Sequence, residues 1–220
     1  MDVPEKLEEL GRQGYKAADE RIRFRTEEKN YSEEGFFKSK AGRNESRLEF
    51  AREFPASDTV FVAPHGGHIE PYTGRQAYTA SEEASASAWI FGGFRKDWET
   101  SFEEMHVPSH RIDPSENEYL ESLLDGDHEE SVSFHCFRDS GVESDIILGG
   151  QGSELKQELK DQLASDYDVS VADSRHDRYH GLSDSNIVNT LSDQGVQIEQ
   201  DWEVLREDWR DIAEKAARTV

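Results

Sequence analysis

An α/β domain, with a mixed or mostly parallel sheet and helices on both faces, is what this 220-residue sequence predicts. Three observations lead there. Short, continuous, β-branched apolar runs such as "TVFVAP" and "SDIILGG" read as strands covered on both faces. They alternate with segments of helical periodicity such as "ELKQELKDQL" and "DWEVLREDWRDIAEKAARTV". The length fits one domain with a real core, given a soft prior of ~150 residues per domain.

Along the chain, residues 1–57 read as a charged N-terminal extension and residues 58–220 as the domain proper. In the extension Leu7, Leu10, Ala17, Ala18 and Ile22 give a weak helical stripe, and "RLEFAREFP" runs to a stop at Pro55. One or two helices with irregular chain are expected there. "TVFVAP" opens the domain as a buried strand, and "SEEASASAWIFGGF", with Trp89 and Ile90, reads as a helix packed on it. "SVSFHCF" alternates as a strand does, and "SDIILGG" is a second buried run closed by glycines. Then come a helix in "ELKQELKDQL", a strand in "YDVSVA", a short helix in "DSNIVNTL", a strand in "GVQIEQ" and a closing amphipathic helix.

Charge narrows the function classes. There are 48 Asp and Glu against 25 Lys and Arg, a formal charge of -23 spread along the whole chain. Phosphate attraction dominates non-specific nucleic-acid and anionic-membrane binding, and its sign is wrong here, so neither partner is expected. Disorder is countered by four Trp, eleven Phe and several clean apolar runs. A halophilic source is expected instead, because the Debye length falls to roughly 3 Å at 1 M salt and screens self-repulsion. The lone Cys136 cannot form an internal disulfide. No apolar run approaches the ~20 residues of a membrane span, and "MDVPEKLEEL" lacks the regions of a signal peptide. The expectation is a soluble product, not exported by an ordinary leader.

Chemistry concentrates in "FVAPHGGHIEPYTG", Phe61 to Gly74. His65 and Glu70 follow an apolar strand, and in open α/β sheets sites form where strands end. Gly66 and Gly67 permit the backbone angles that would turn both side chains toward one point. Catalytic zinc takes three protein ligands of His and Glu type and keeps a fourth position open. His135, ending "SVSFHCF", is the best third ligand. His68 lies within reach of the same loop, while His106 and His110 share "MHVPSHRID". His128, His176 and His180 sit in polar stretches and read as solvated side chains. Glu199 ends an alternating strand, where a buried carboxylate must be paired, hydrated or functional. Among 48 acidic residues, residue type alone does not select it. Arg95 and Arg138 are candidates for substrate carboxylates, since a planar guanidinium makes paired hydrogen bonds to them.

Three blocks, "APHGGHIEPYTG", "SVSFHC" with "DIILGG", and "NIVNTLSDQGVQIE", in that order, resemble those of the poly-γ-glutamate hydrolase family, often encoded by phages. The resemblance covers roughly Thr59 to the C-terminus. It implies a zinc-dependent, carboxypeptidase-like hydrolase that cleaves γ-glutamyl amide bonds. It also implies His65, Glu70 and His135 as the metal ligands and Glu199 as the general base. Glu83 is similar to a glutamate after the first block, and "MHVPSHRID" to a family strand and turn. The chain departs from the pattern at His68 and Tyr72, at Cys136, and at Thr190, where the family has arginine. Loss of that arginine bears on one substrate-carboxylate contact.

Two alternatives accompany this reading. One is a small-molecule amidohydrolase of the N-acyl-glutamate type. The other is a virion or structural protein that keeps the hydrolase fold and meets other virion proteins through its N-terminal extension. The expected location is cytoplasmic or virion-associated, in high salt. The halophilic reading predicts that the thermal midpoint rises between low and molar KCl; an unchanged melting curve would refute it.

Overall fold

The described part of the N-terminal region forms strands. The computed structural model describes residues 21–40, 45–139, 141–172 and 178–220. In it β1 (Arg21–Glu27), β2 (Ser32–Lys40) and β3 (Glu45–Glu53) make an antiparallel meander. This corrects the expectation of helices before residue 57; Leu7, Leu10, Ala17 and Ala18 lie outside the described residues. The cause is a period of two that charge disguises. Alternate residues of β2 are buried, and its buried Glu33 is the register partner of Arg52 on β3, with which it forms a buried ion pair. Paired in this way, charged residues occupy inward positions that a hydropathy pattern reads as surface.

The predicted strand at Thr59 is β4 (Thr59–Gly67), buried at every position. Phe61 and Ala63 enter one core, Val60 and Val62 another. It leads to helix α1 (Thr73–Ala84), whose C-cap Ser85 takes the left-handed conformation at φ 54°. That stop releases "SAWIFGGF" as strand β5 (Ser87–Phe94), so Trp89 and Ile90 belong to the sheet and not to a helix as expected. Helices α2 (Trp98–Met105) and α3 (Glu118–Leu124) follow, then β6 (Glu130–Phe137) and β7 (Ile146–Gly149). The remaining elements lie where the sequence puts them: α4 (Ser153–Leu163), β8 (Val169–Val171), α5 (Ile187–Leu191), β9 (Gln194–Asp201) and α6 (Trp202–Thr219).

The described strands form one mixed sheet in the order β1-β2-β3-β5-β4-β6-β9-β7-β8. Its centre, β5-β4-β6-β9, is parallel, while the N-terminal meander and the β7–β9 pair are antiparallel. Helices α1, α4 and α6 cover the face fed by Phe61; α3 and α5 cover the face fed by Val60. The predicted α/β architecture with helices on both faces is therefore present. Strand order reverses at β4, with β5 on one side and β6 on the other. The crevice beyond the carboxyl end of such a switch point is where open sheets bind ligands.

One buried carboxylate ties α3 to the sheet. Glu49 on β3 is 1% exposed, and its Oε1 accepts from Trp89 Nε1 at 3.0 Å and from the Tyr119 and Leu120 amides at 2.9 and 3.3 Å. Those amides belong to the first turn of α3, whose N-cap Asn117 makes no side-chain cap. Glu49 thus caps the helix from another element. Glu49→Ala is predicted to cost about 2–4 kcal/mol by urea unfolding, since it strands three buried donors, and Glu49→Gln, which keeps an acceptor oxygen, distinctly less.

Candidate metal centre

Two backbone devices bring His65 and Glu70 together. Between Ala63 and Gly66, β4 advances three residues while β5 advances two, from Ile90 to Gly92. The extra residue is a bulge, which re-aims the side chains beside it. Gly67 then turns at φ 74°, where a Cβ would lie 2.8 Å from the Gly93 carbonyl oxygen. The expected need for glycine is real at this position. The Glu70 amide closes the turn by donating to the His65 carbonyl at 2.7 Å.

His135 arrives from β6, the next strand over. His65 Nδ1 lies 3.1 Å from Glu70 Oε1, His135 Nδ1 lies 3.3 Å from Glu70 Oε2, and the two Nδ1 atoms are 3.2 Å apart. All three residues are buried, at 2%, 5% and 3% exposure for His65, Glu70 and His135. The far nitrogens are held as well. His65 Nε2 is 2.7 Å from the Val107 carbonyl oxygen and must donate to it, which turns Nδ1 toward the carboxylate. His135 Nε2 meets Ser133 Oγ at 3.0 Å, and the Cys136 amide donates to Glu70 Oε2 at 3.2 Å.

Electron pairs converging at such distances repel unless a cation or protons lie between them. Three ligands about 2.0–2.1 Å from a tetrahedral ion are themselves about 3.3 Å apart, close to the separations here. Anchoring the outer imidazole nitrogen is the usual way to orient a metal-binding histidine. The donor set fits a metal ion.

His106 is a fourth donor at the lip. With His65 and Glu70 it completes a group whose ligand atoms lie within 4.8 Å of one another. Its Nε2 is 3.7 Å from Glu70 Oε1, farther than either Nδ1, and its ring lies against His65 and Phe102 at 4.2 and 4.4 Å. Burial, then the neighbouring His65, pushes its pKa down to about 4.

Electrostatics divide the two carboxylates. Burial pushes the Glu70 carboxyl up, but His65 and His135 together outweigh it and hold the group well below the usual range. Glu199 is the register partner of His135 on β9. Burial raises its pKa to about 7, with His135 opposing and the Glu70 charge assisting. His135 in turn is held above the usual imidazole value, its burial outweighed by Glu199 and Glu70. Gln197 Nε2 donates to Glu199 Oε1 at 3.1 Å and fixes the carboxyl. A carboxyl poised near neutrality beside such a donor set is suited to accepting and returning a proton.

These residues line a cleft of about 1300 Å³, larger than the ~300–1,000 Å³ of a small-molecule site. Of the other predicted residues, Arg138 is at its rim, its guanidinium 3.8 Å from the Trp98 ring centroid and 4.0 Å from that of Trp202. Arg95 does not line the cleft: its guanidinium pairs with Glu104 and approaches Glu45. His68 is 3.1 Å from the Arg95 carbonyl oxygen through Nδ1 and lies edge-on to Phe94, outside the donor group. Glu83 is exposed on α1, also away from the cleft. His110 and His180 are in the lining, and His176 lies outside the described residues. The supporting groups Val107, Ser133 and Gln197, and the indoles around Arg138, carry no sequence motif and go unpredicted.

Comparison with known proteins bears on the fold and the family. A bacteriophage poly-gamma-glutamate hydrolase structure aligns with a TM-score of 0.62 at 22% identity, over 88% of this chain and 89% of that one. A zinc-free structure named YNDL-apo aligns with a TM-score of 0.57 at 23% identity, over 73% and 74%. At these identities the likeness shows a shared fold. No curated protein matches the chain. The family model described as poly-gamma-glutamate hydrolase matches residues 37–215, most of the chain and including every residue of the donor group. The chain belongs to the poly-gamma-glutamate hydrolase family.

Proposed function

We propose that the protein hydrolyses γ-glutamyl amide bonds of poly-γ-glutamate, or a closely related polymer, at the cleft beyond β4, β6 and β9. The observation that carries this is the meeting of His65, Glu70 and His135 donor atoms within 3.3 Å, one residue across the sheet from the buried Glu199. Zinc is the ion such a His/His/Glu set suits, and when bound it supplies Lewis acidity toward water and the amide carbonyl. His65, Glu70 and His135 are its ligands in this reading, and His106 is not required.

Glu199 is the general base. Its carboxylate takes a proton from the attacking water as the new C–O bond forms, and returns it to the amide nitrogen as the C–N bond breaks. Gln197 keeps one carboxylate oxygen in place, leaving the other for the proton. Arg138 sits at the rim to receive a substrate carboxylate, and its indole neighbours hold the guanidinium plane so that the N–H edge stays available. Arg95 has no part, because its guanidinium is already engaged with carboxylates.

A polyanion and a protein of charge -23 repel at long range. Molar salt, with a Debye length of roughly 3 Å, removes that barrier, and so the acidic surface and the substrate are compatible in the halophilic setting.

Two measurements separate the roles. Zinc at about a hundred times its Kd should stabilise the protein by about 2.7 kcal/mol in thermal or urea unfolding. His65→Ala and His135→Ala should lose that gain while His106→Ala keeps most of it; the reverse pattern would replace His135 by His106 in the ligand set. Glu199→Gln should keep the zinc stabilisation yet lose about 10²–10⁴-fold in release of new amino groups from the polymer. Hydrolysis at the unmutated rate by that variant would remove Glu199 as the base.

A further inference from the structure

Arginines in this acidic chain commonly end on carboxylates, as Arg52 does on Glu33, Arg178 on Asp139 and Arg206 on Glu203. Arg138 and Arg210 are different. Among the described residues neither makes an ion pair or a hydrogen bond, and both are exposed and set against indole rings. An arginine held against an indole and meeting no carboxylate among the described residues is positioned for one from outside.

The two are joined by a row of aromatic rings. From the cleft, Arg138 lies between Trp98 and Trp202; Tyr72 follows at 6.1 Å from Trp202 and 6.4 Å from Trp209; Arg210 closes the row 5.2 Å from Trp209. Trp202 and Trp209 are seven residues apart on α6, so they share one helix face about 10 Å apart along its axis. Tyr72 bridges them from the turn before α1, where it sits at φ 77°, a left-handed conformation that costs a non-glycine residue on the order of 1–2 kcal/mol. Trp98 is 39% exposed, and Trp202, Tyr72 and Trp209 are all partly exposed. Core packing therefore does not account for the row.

We propose that this row is a track for the polymer, leading away from the scissile bond and binding successive α-carboxylates of one chain at Arg138 and Arg210. The proposal rests on the polyglutamate reading above. Successive carboxylates on a γ-linked chain are five backbone bonds apart, roughly 6 Å when extended. Arg138 and Arg210 flank rings that already span more than this, so they meet carboxylates at least two units apart. The rings between them offer faces to the two methylenes and the planar amide of each unit, contacts that do not depend on the chain's sequence of charges. The track favours long chains over short acyl-glutamates, and it places attraction for a polyanion beside the site of a protein whose net charge repels one.

The test is binding, with γ-linked glutamate chains graded from the dimer to tens of units. Zinc-supplemented Glu199→Gln protein, which should not degrade them, is titrated at one fixed salt concentration, and tryptophan fluorescence is read. Affinity should climb with length beyond the dimer and then level off. Arg210→Gln, an exposed change that leaves the fold intact, should weaken long-chain binding by at least about fivefold and narrow the gap between long chain and dimer. Arg206→Gln, on the same helix but already ion-paired, serves as the control and should alter neither. Affinity independent of length, long-chain binding untouched by Arg210→Gln, or no binding at any length would each overturn the track. Failure of the hydrolase reading looks different: the unmutated, zinc-supplied protein would release no amino groups from the polymer while length-dependent binding persisted.

Discussion

The carboxylate of Glu70 is shared between two imidazoles, one oxygen to each Nδ1, and the rest of the site is organised around that sharing. Two imidazoles and a carboxylate are buried together, with each Nδ1 within 3.3 Å of a Glu70 oxygen and the two Nδ1 atoms 3.2 Å apart. Burying such a set is costly unless a positive charge compensates it and the surroundings hold it rigidly. The surroundings here are sheet, not loop. His65 and Glu70 are tied by a backbone hydrogen bond across the β4 turn, His135 is held inside β6, and Val107, Ser133 and the Cys136 amide occupy the remaining polar atoms. Glu199 then follows from register alone, because β9 runs parallel to β6 and sets it opposite His135.

Parallel strands at the centre make this possible. Their carboxyl ends coincide at one edge, so residues far apart in sequence end up beside one another there. The antiparallel meander β1–β3 widens the sheet on the β5 side and takes no part in the donor group. Its buried ion pair Arg52–Glu33 and the cap that Glu49 supplies to α3 show charged groups serving structure, in the same molecule where Glu70 and Glu199 face the cleft. The distinction is in the partners. Glu33 and Glu49 meet arginine, an indole N–H or backbone amides, whereas Glu70 meets two imidazole nitrogens beside its one backbone amide.

The rim has a different origin from the floor. Trp98 comes from α2, Trp202 and Trp209 from α6, and Tyr72 from the turn between β4 and α1. None of these belongs to the central strands. Tyr72 illustrates the point: it occupies a left-handed position that suits glycine better, and its ring is spent on the surface row instead of the core.

Much of this was legible in the sequence. The apolar run at Thr59, the helix in "ELKQELKDQL" and the closing amphipathic helix declare themselves by local periodicity, which depends only on neighbours in the chain. The His65-to-Glu70 loop is legible for the same reason, since its glycines act within a few residues. Three features were decided by tertiary structure alone. Arg21–Glu27, Ser32–Lys40 and Glu45–Glu53 became strands in which the cross-strand pair Arg52–Glu33 lets charges face inward, which hides the period of two. Arg138, and not Arg95, reached the cleft because α2 and α6 bring indoles to one and carboxylates hold the other. The partnership of His135 with His65, Glu70 and Glu199 joins residues some 64–70 positions apart, and sheet register, which has no local signature, is what sets it.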